Sequence, residues 1–105
     1  MDSITIGCTT YSKADAIAIM QQPVAKDMTY ALAQQLIAAK LNIACLGTDS
    51  SCISRAISDA DNFLCTRPVG SGVKARVRVW KTALSLVHSE LSSYNEGLLC
   101  APSGD

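Results

Sequence analysis

Apolar residues recur at helical spacing along most of this chain. The clearest run is the last, where Val77, Trp80, Leu84, Val87, Leu91 and Tyr94 step by three and four along one continuous stripe. Gly97 is a natural stop for that helix, with Pro102 beyond it. Upstream, Ile53, Ala56, Ile57, Ala60, Phe63 and Leu64 fall on an inward face, while Arg55, Asp59 and Asn62 fall outward. Pro68 and the Gly70-Ser71-Gly72 stretch end that helix. A further helix begins after Asp27, a good cap, and sets Leu32, Ala33, Leu36, Ile37 and Leu41 on one face before Gly47 and Asp49-Ser50-Ser51 break it. The first helix is short. Ser12 stands at the N-cap with Asp15 three positions on, Lys13 to Gln22 is rich in Ala, Ile and Met, and Pro23 stops it.

The N-terminal pattern is different. Residues 3–10 read Ser-Ile-Thr-Ile-Gly-Cys-Thr-Thr, rich in β-branched side chains with Ile4 and Ile6 alternating with polar neighbours, which predicts a short extended arm. No repeat, low-complexity segment or linker interrupts the chain, and Gly70-Ser71-Gly72 is too short to separate domains. The predicted fold is therefore all-α: one domain over residues 1–105, a compact bundle of about four helices with an extended N-terminal arm.

Composition changes this picture in two ways. Hydrophobic residues make up 49% and charged residues 17% of the 105 positions, which is globular rather than disordered, but aromatics reach only 5%. The core must then be built from small aliphatic side chains, which suits closely packed helices. The formal net charge of zero excludes a strong global field toward nucleic acid or anionic lipid. No apolar run approaches the roughly 18–20 residues of a bilayer span, and no signal peptide is visible at the start.

The cysteines carry more information. Cys8, Cys45, Cys52, Cys65 and Cys100 are scattered along the chain without a C-x-x-C pair, which argues against redox and zinc motifs and for a disulfide framework. The other reading is reduced cysteines buried as small hydrophobes. An odd count leaves a thiol that is free or paired between molecules. Both ends of the chain hold a cysteine, and a crosslink there would tie down a loose terminus.

Candidate chemistry is sparse. His88, the sole histidine, sits one position off the last apolar stripe, and a Cys–His pair would need a free thiolate beside it. No nucleophile elbow is present, Gly70-Ser71-Gly72 lacks the remainder of a phosphate loop, and the carboxylates form no ligand set, with Asp59 and Asp61 reading as solvated surface. These features predict no catalytic residues, no metal and no cofactor. Arg67, Lys74, Arg76, Arg78 and Lys81 are five of nine basic residues, and no acid lies between Asp61 and Glu90. That local excess is a candidate surface for an acidic polymer such as a glycan, or else a solvated helix face. Stacking aromatics are not interleaved with it, so specific nucleic-acid binding is not expected. Trp80 and Tyr94 read as core, with an exposed self-association stripe as the alternative.

A set of motifs in fixed order adds a resemblance. Thr10-Tyr11-Ser12, the run from Ala33 through Lys40-Leu41-Asn42 to Ala44, Ser51-Cys52-Ile53, Pro68-Val69-Gly70-Ser71, and Tyr94-Asn95-Glu96-Gly97-Leu98-Leu99-Cys100-Ala101-Pro102 span nearly the whole chain. Together they resemble an uncharacterised helical module of predicted secreted and surface bacterial proteins. The resemblance implies a Cys52–Cys100 disulfide tethering the C-terminal tail, and an extracellular or cell-surface location. Cys8, Cys45 and Cys65 depart from the pattern and stand as possible free or intermolecular thiols. Asn42 and Asn95 read as structural, Asn95 at a helix end and Asn42 toward a loop backbone. The function expected is non-catalytic: attachment, assembly or ligand binding, with self-association or an acidic polymer as partner. The alternative is a small intracellular regulator, inhibitor or thiol enzyme with reduced cysteines.

Overall fold

The computed structural model describes residues 3–46, 51–74, 77–78 and 80–96. Within them the chain forms strands β1 (Ser3–Ile6) and β2 (Thr9–Ser12), then helices α1 (Lys13–Met20), α2 (Met28–Leu46) and α3 (Ser54–Thr66). A π-helical turn, Trp80–Leu84, leads into α4 (Ser85–Asn95). The fold is mostly helical but not all-α.

The predicted extended arm is instead an antiparallel hairpin. Ser3 pairs with Ser12 and Ile6 with Thr9, so Gly7 and Cys8 form a two-residue turn. Gly7 has φ 67° and Cys8 is not in the left-handed region, the pattern of a type II′ turn with glycine first. The alternation along β1 has the expected consequence: Ile4 and Ile6 are buried, Ser3 and Thr5 exposed. Across the pair, the Thr5 and Thr10 hydroxyls hydrogen-bond at 2.9 Å.

The Ser12 hydroxyl accepts from the Asp15 N–H at 3.1 Å and caps α1 as the sequence predicts. Apolar residues fall on every side of this helix, yet Ile19 is buried while Ile17 and Met20 are exposed. Helix α2 is the centre of the fold and packs against α1, α3, α4 and β1. Its sequence explains that position: Ala31, Leu32, Ala33, Leu36, Ile37 and Ala39 are buried, a stripe too wide for one neighbour. Leu41, expected inward, lies at the edge and is 37% exposed.

Helices α3 and α4 follow their stripes. Ile53, Ala56, Ala60 and Leu64 are buried, Ile57 and Phe63 pack partly buried against them, and Arg55, Asp59 and Asn62 are exposed. Trp80, Leu84, Val87, Leu91 and Tyr94 are buried and Val77 packs on the same cluster. Trp80 and Tyr94 are thus core, and the alternative of an exposed aromatic stripe is overturned. The Gly97 stop and Pro102 lie outside the described residues.

Candidate functional site

Among the described residues several polar clasps join the elements, and three of them use residues singled out in the sequence. The first lies at the start of α2. The Asp27 carboxylate accepts from the Thr29 N–H at 3.0 Å and from the Thr29 hydroxyl at 2.6 Å. It also accepts from the Gly72 N–H at 3.0 Å and the Val73 N–H at 3.2 Å. Thr29, fully buried, accepts in turn from the Gly70 N–H at 2.9 Å. The Met28 N–H donates to the Val73 carbonyl at 2.7 Å. Asp27 is therefore more than a helix cap: it ties the glycine loop to α2 across 45 residues of chain. Partial burial alone would raise its carboxyl pKa, but the Thr29 hydroxyl and the N–H groups of Thr29, Gly72 and Val73 outweigh burial and hold it below its ordinary value.

The second clasp fixes the hairpin turn. Lys40 Nζ lies 2.9 Å from Asp61 and donates to the Thr5 carbonyl at 2.7 Å. Asp61 also accepts from the Gly7 N–H at 2.8 Å. This corrects the expectation of a solvated Asp59–Asp61 surface: Asp59 is exposed, whereas Asp61 is half-buried and bonded twice. The same turn is covalently anchored, because Cys8 forms a disulfide with Cys65 of α3. Cys8 and Cys65 are thus neither free nor intermolecular thiols, as expected of them, but partners of each other. Cys52 is disulfide-bonded too. Its expected partner Cys100, with the rest of the C-terminal tail, lies outside the described residues, as does the side chain of Cys45.

The third clasp joins α2 to α4. Asn42 Nδ2 donates to Asn95 Oδ1 at 3.1 Å. Asn95 Nδ2 donates to the Gln35 carbonyl at 3.0 Å and to Gln35 Oε1 at 2.9 Å. Asn42 thus meets a side chain of α4 rather than a loop backbone. Asn95 is the last residue of α4, and no described residue other than glycine adopts the left-handed backbone expected there.

The basic segment is less unified than its sequence suggests. Arg67 ends α3 and is exposed, Lys74 donates to the Lys26 carbonyl at 3.0 Å, and Arg78 and Lys81 are exposed near and within the π-helical turn. Arg76 lies outside the described residues. His88 is half-buried against Trp80, with ring centroids 5.9 Å apart, and burial lowers its pKa from the ordinary value. Among the described residues no group of three or more His, Cys, Asp or Glu is placed to hold a metal, and no helix is long and apolar enough to cross a membrane.

One feature was not visible in the sequence. An open groove of about 200 Å³ runs between the hairpin, α1 and α2. Ile4, Ala16 and Ile37 form its floor, and the exposed Ile17, Met20 and Leu41 form its rim. Ser3 and Lys13 are its polar lining. The apolar character of α1 on all sides is the signal that a second face of that helix was left without a partner. No family model, curated protein or solved structure matches this chain.

Proposed function

We propose that the chain is a non-catalytic module of an oxidising setting, extracellular or at a cell surface, serving attachment, assembly or ligand binding. The observation that carries this reading is the Cys8–Cys65 disulfide at the joint between hairpin and α3. Such crosslinks persist in oxidising compartments and are rare where glutathione and thioredoxin keep thiols reduced. The motif resemblance to secreted and surface bacterial modules supports the same compartment. The non-catalytic part is supported by how the reactive side chains are employed. Cys8, Cys52 and Cys65 are oxidised and offer no thiolate, while Asp27, Lys40 and Asp61 are engaged in joining elements. Alkylation of denatured, unreduced protein from its native compartment tests this. One free thiol, or none with a covalent dimer, supports the module; five reactive thiols would return the chain to the intracellular class of regulators and thiol enzymes.

A second reading concerns an acidic glycan at Arg67, Lys74, Arg76, Arg78 and Lys81. The Asp27 clasp favours it, because the loop between Arg67 and Lys74 is held on α2 and loses little freedom on binding. Binding to an acidic polysaccharide should then weaken steeply with salt and vanish in an Arg76→Glu/Arg78→Glu variant. Binding that is flat across salt sinks this reading alone.

A further inference from the structure

We propose that the Cys8–Cys65 bond is a reversible redox switch, opened by small thiols while the domain stays folded. Both residues are exposed, Cys8 at the tip of the hairpin and Cys65 in the last turn of α3. Gly7 covers the backbone nitrogen of Cys65, so the exposure of that residue lies toward its side chain. The crosslink therefore faces solvent, and an attacking thiolate reaches it without unfolding of the helix or the hairpin. Exposed disulfides belong to the labile and regulatory class, in contrast to those that resist reduction inside a fold.

The second observation is that the same joint is held twice. Gly7 immediately precedes Cys8, and Asp61 lies one helical turn before Cys65, so the Gly7–Asp61 hydrogen bond of 2.8 Å runs parallel to the crosslink. Lys40 adds bonds of 2.7 Å to the Thr5 carbonyl and 2.9 Å to Asp61, and Ile4 and Ile6 anchor β1 in the core. With the disulfide open, these contacts keep the turn on α3 and the two thiols side by side. Opening then removes the chain-entropy contribution of the crosslink without removing the fold, and closing needs no search. In the opening step a thiolate attacks one cysteine sulfur and forms a mixed disulfide, while the Cys8–Cys65 bond breaks and its electron pair leaves on the other cysteine. A second thiolate displaces the first cysteine. Two thiols, or one dithiol, are thus oxidised to a disulfide, and Cys8 and Cys65 are reduced and take up the two protons.

The proposal rests on the same crosslink as the reading of an oxidising setting, but the two fail differently. Cys8 and Cys65 recovered as free thiols from the native compartment would end that reading, whereas a crosslink that opens only through unfolding ends this proposal alone. The test treats the intact, crosslinked protein with dithiothreitol at fixed pH across urea concentrations below the unfolding transition. Alkylation and peptide mapping follow Cys8 and Cys65. Opening from the folded state predicts a rate proportional to dithiothreitol and flat in urea, with the methyl resonances of Leu64 and Leu91 unchanged in the open form. The urea midpoint should fall on opening and return on reoxidation. Asp61→Ala should slow reoxidation about fivefold, the factor that one net hydrogen bond supplies, and Asp61→Asn, which keeps an acceptor for Gly7, should slow it less. A rate that climbs with urea in step with global unfolding would overturn the proposal. So would loss of the core resonances on reduction, or reoxidation as fast in Asp61→Ala as in the unaltered protein.

Discussion

The Gly7 N–H donates to the Asp61 carboxylate at 2.8 Å across 54 residues of chain, and the contact exists because Gly7 has no side chain. A Cβ on Gly7 would lie 2.7 Å from the Leu64 carbonyl carbon and 2.9 Å from the Cys65 nitrogen, backbone atoms that cannot swing aside. Gly7→Ala should therefore cost at least about 3 kcal/mol in urea unfolding, combining left-handed strain with the collision. Gly72→Ala is the control: φ is 82° but nothing lies within 4 Å, so only about 1–2 kcal/mol of backbone strain is expected. Equal costs for the two variants would contradict the docking of the turn on α3.

Asp61→Ala leaves the Gly7 N–H and the half-buried Lys40 ammonium short of an acceptor, at about 1–3 kcal/mol. Asp61→Asn keeps an acceptor for Gly7 and should recover part of that loss. The comparison is read from denaturant midpoints at neutral pH, and an Asn variant no better than Ala would mean that the charge on Lys40 dominates the clasp.

The Cys8–Cys65 crosslink closes a span of 57 residues. Chain entropy then gives it about 4 kcal/mol, acting on the unfolded state, as an upper estimate. A Cys8→Ser/Cys65→Ser variant should unfold at correspondingly lower denaturant but keep the Lys40–Asp61 and Gly7–Asp61 bonds. Hydrogen exchange at the Gly7 amide checks this: loss of protection there under native conditions would show that the disulfide, not the clasp, places the turn.

Acid should weaken the domain in two steps of the same sign. His88 has a folded pKa below its unfolded value, so the unfolded chain takes up that proton first and stability falls as pH drops below about 6.5. Asp27 is likewise lowered, so its contribution is complete above about 3.9 and is lost as pH falls through the lower folded value. Urea midpoints from about pH 8 to about pH 3 trace both steps. Asp27→Asn should remove the lower step; an undiminished loss below about pH 4 would place the acid sensitivity elsewhere.

The helices were legible in the sequence because their determinants are local. The stripe from Val77 to Tyr94, the Ser12 cap and the outward Arg55, Asp59 and Asn62 all follow from side chains within a few residues of each other. The hairpin was not legible, because Ile4 and Ile6 set an alternation whose parity Thr10 keeps, and Gly7 within it carries the turn. Glycine at the first central position of a two-residue turn was the available signal. Asp27, Asp61, Asn42 and Asn95 could be seen as polar residues, but their partners lie far along the chain and nothing in their immediate sequence names them. The disulfide was not legible for the same reason: five cysteines scattered along the chain leave spacing unable to choose Cys65 for Cys8. The groove is a property of three elements meeting, and only the all-round apolar character of α1 hinted at it.

The most direct test of the central claim is a non-reducing peptide map of protein taken from its native compartment with thiols blocked at lysis. A disulfide-braced module of an oxidising setting predicts a crosslinked peptide pair containing Cys8 and Cys65 in nearly all molecules. Recovery of both cysteines as separately alkylated peptides would contradict it.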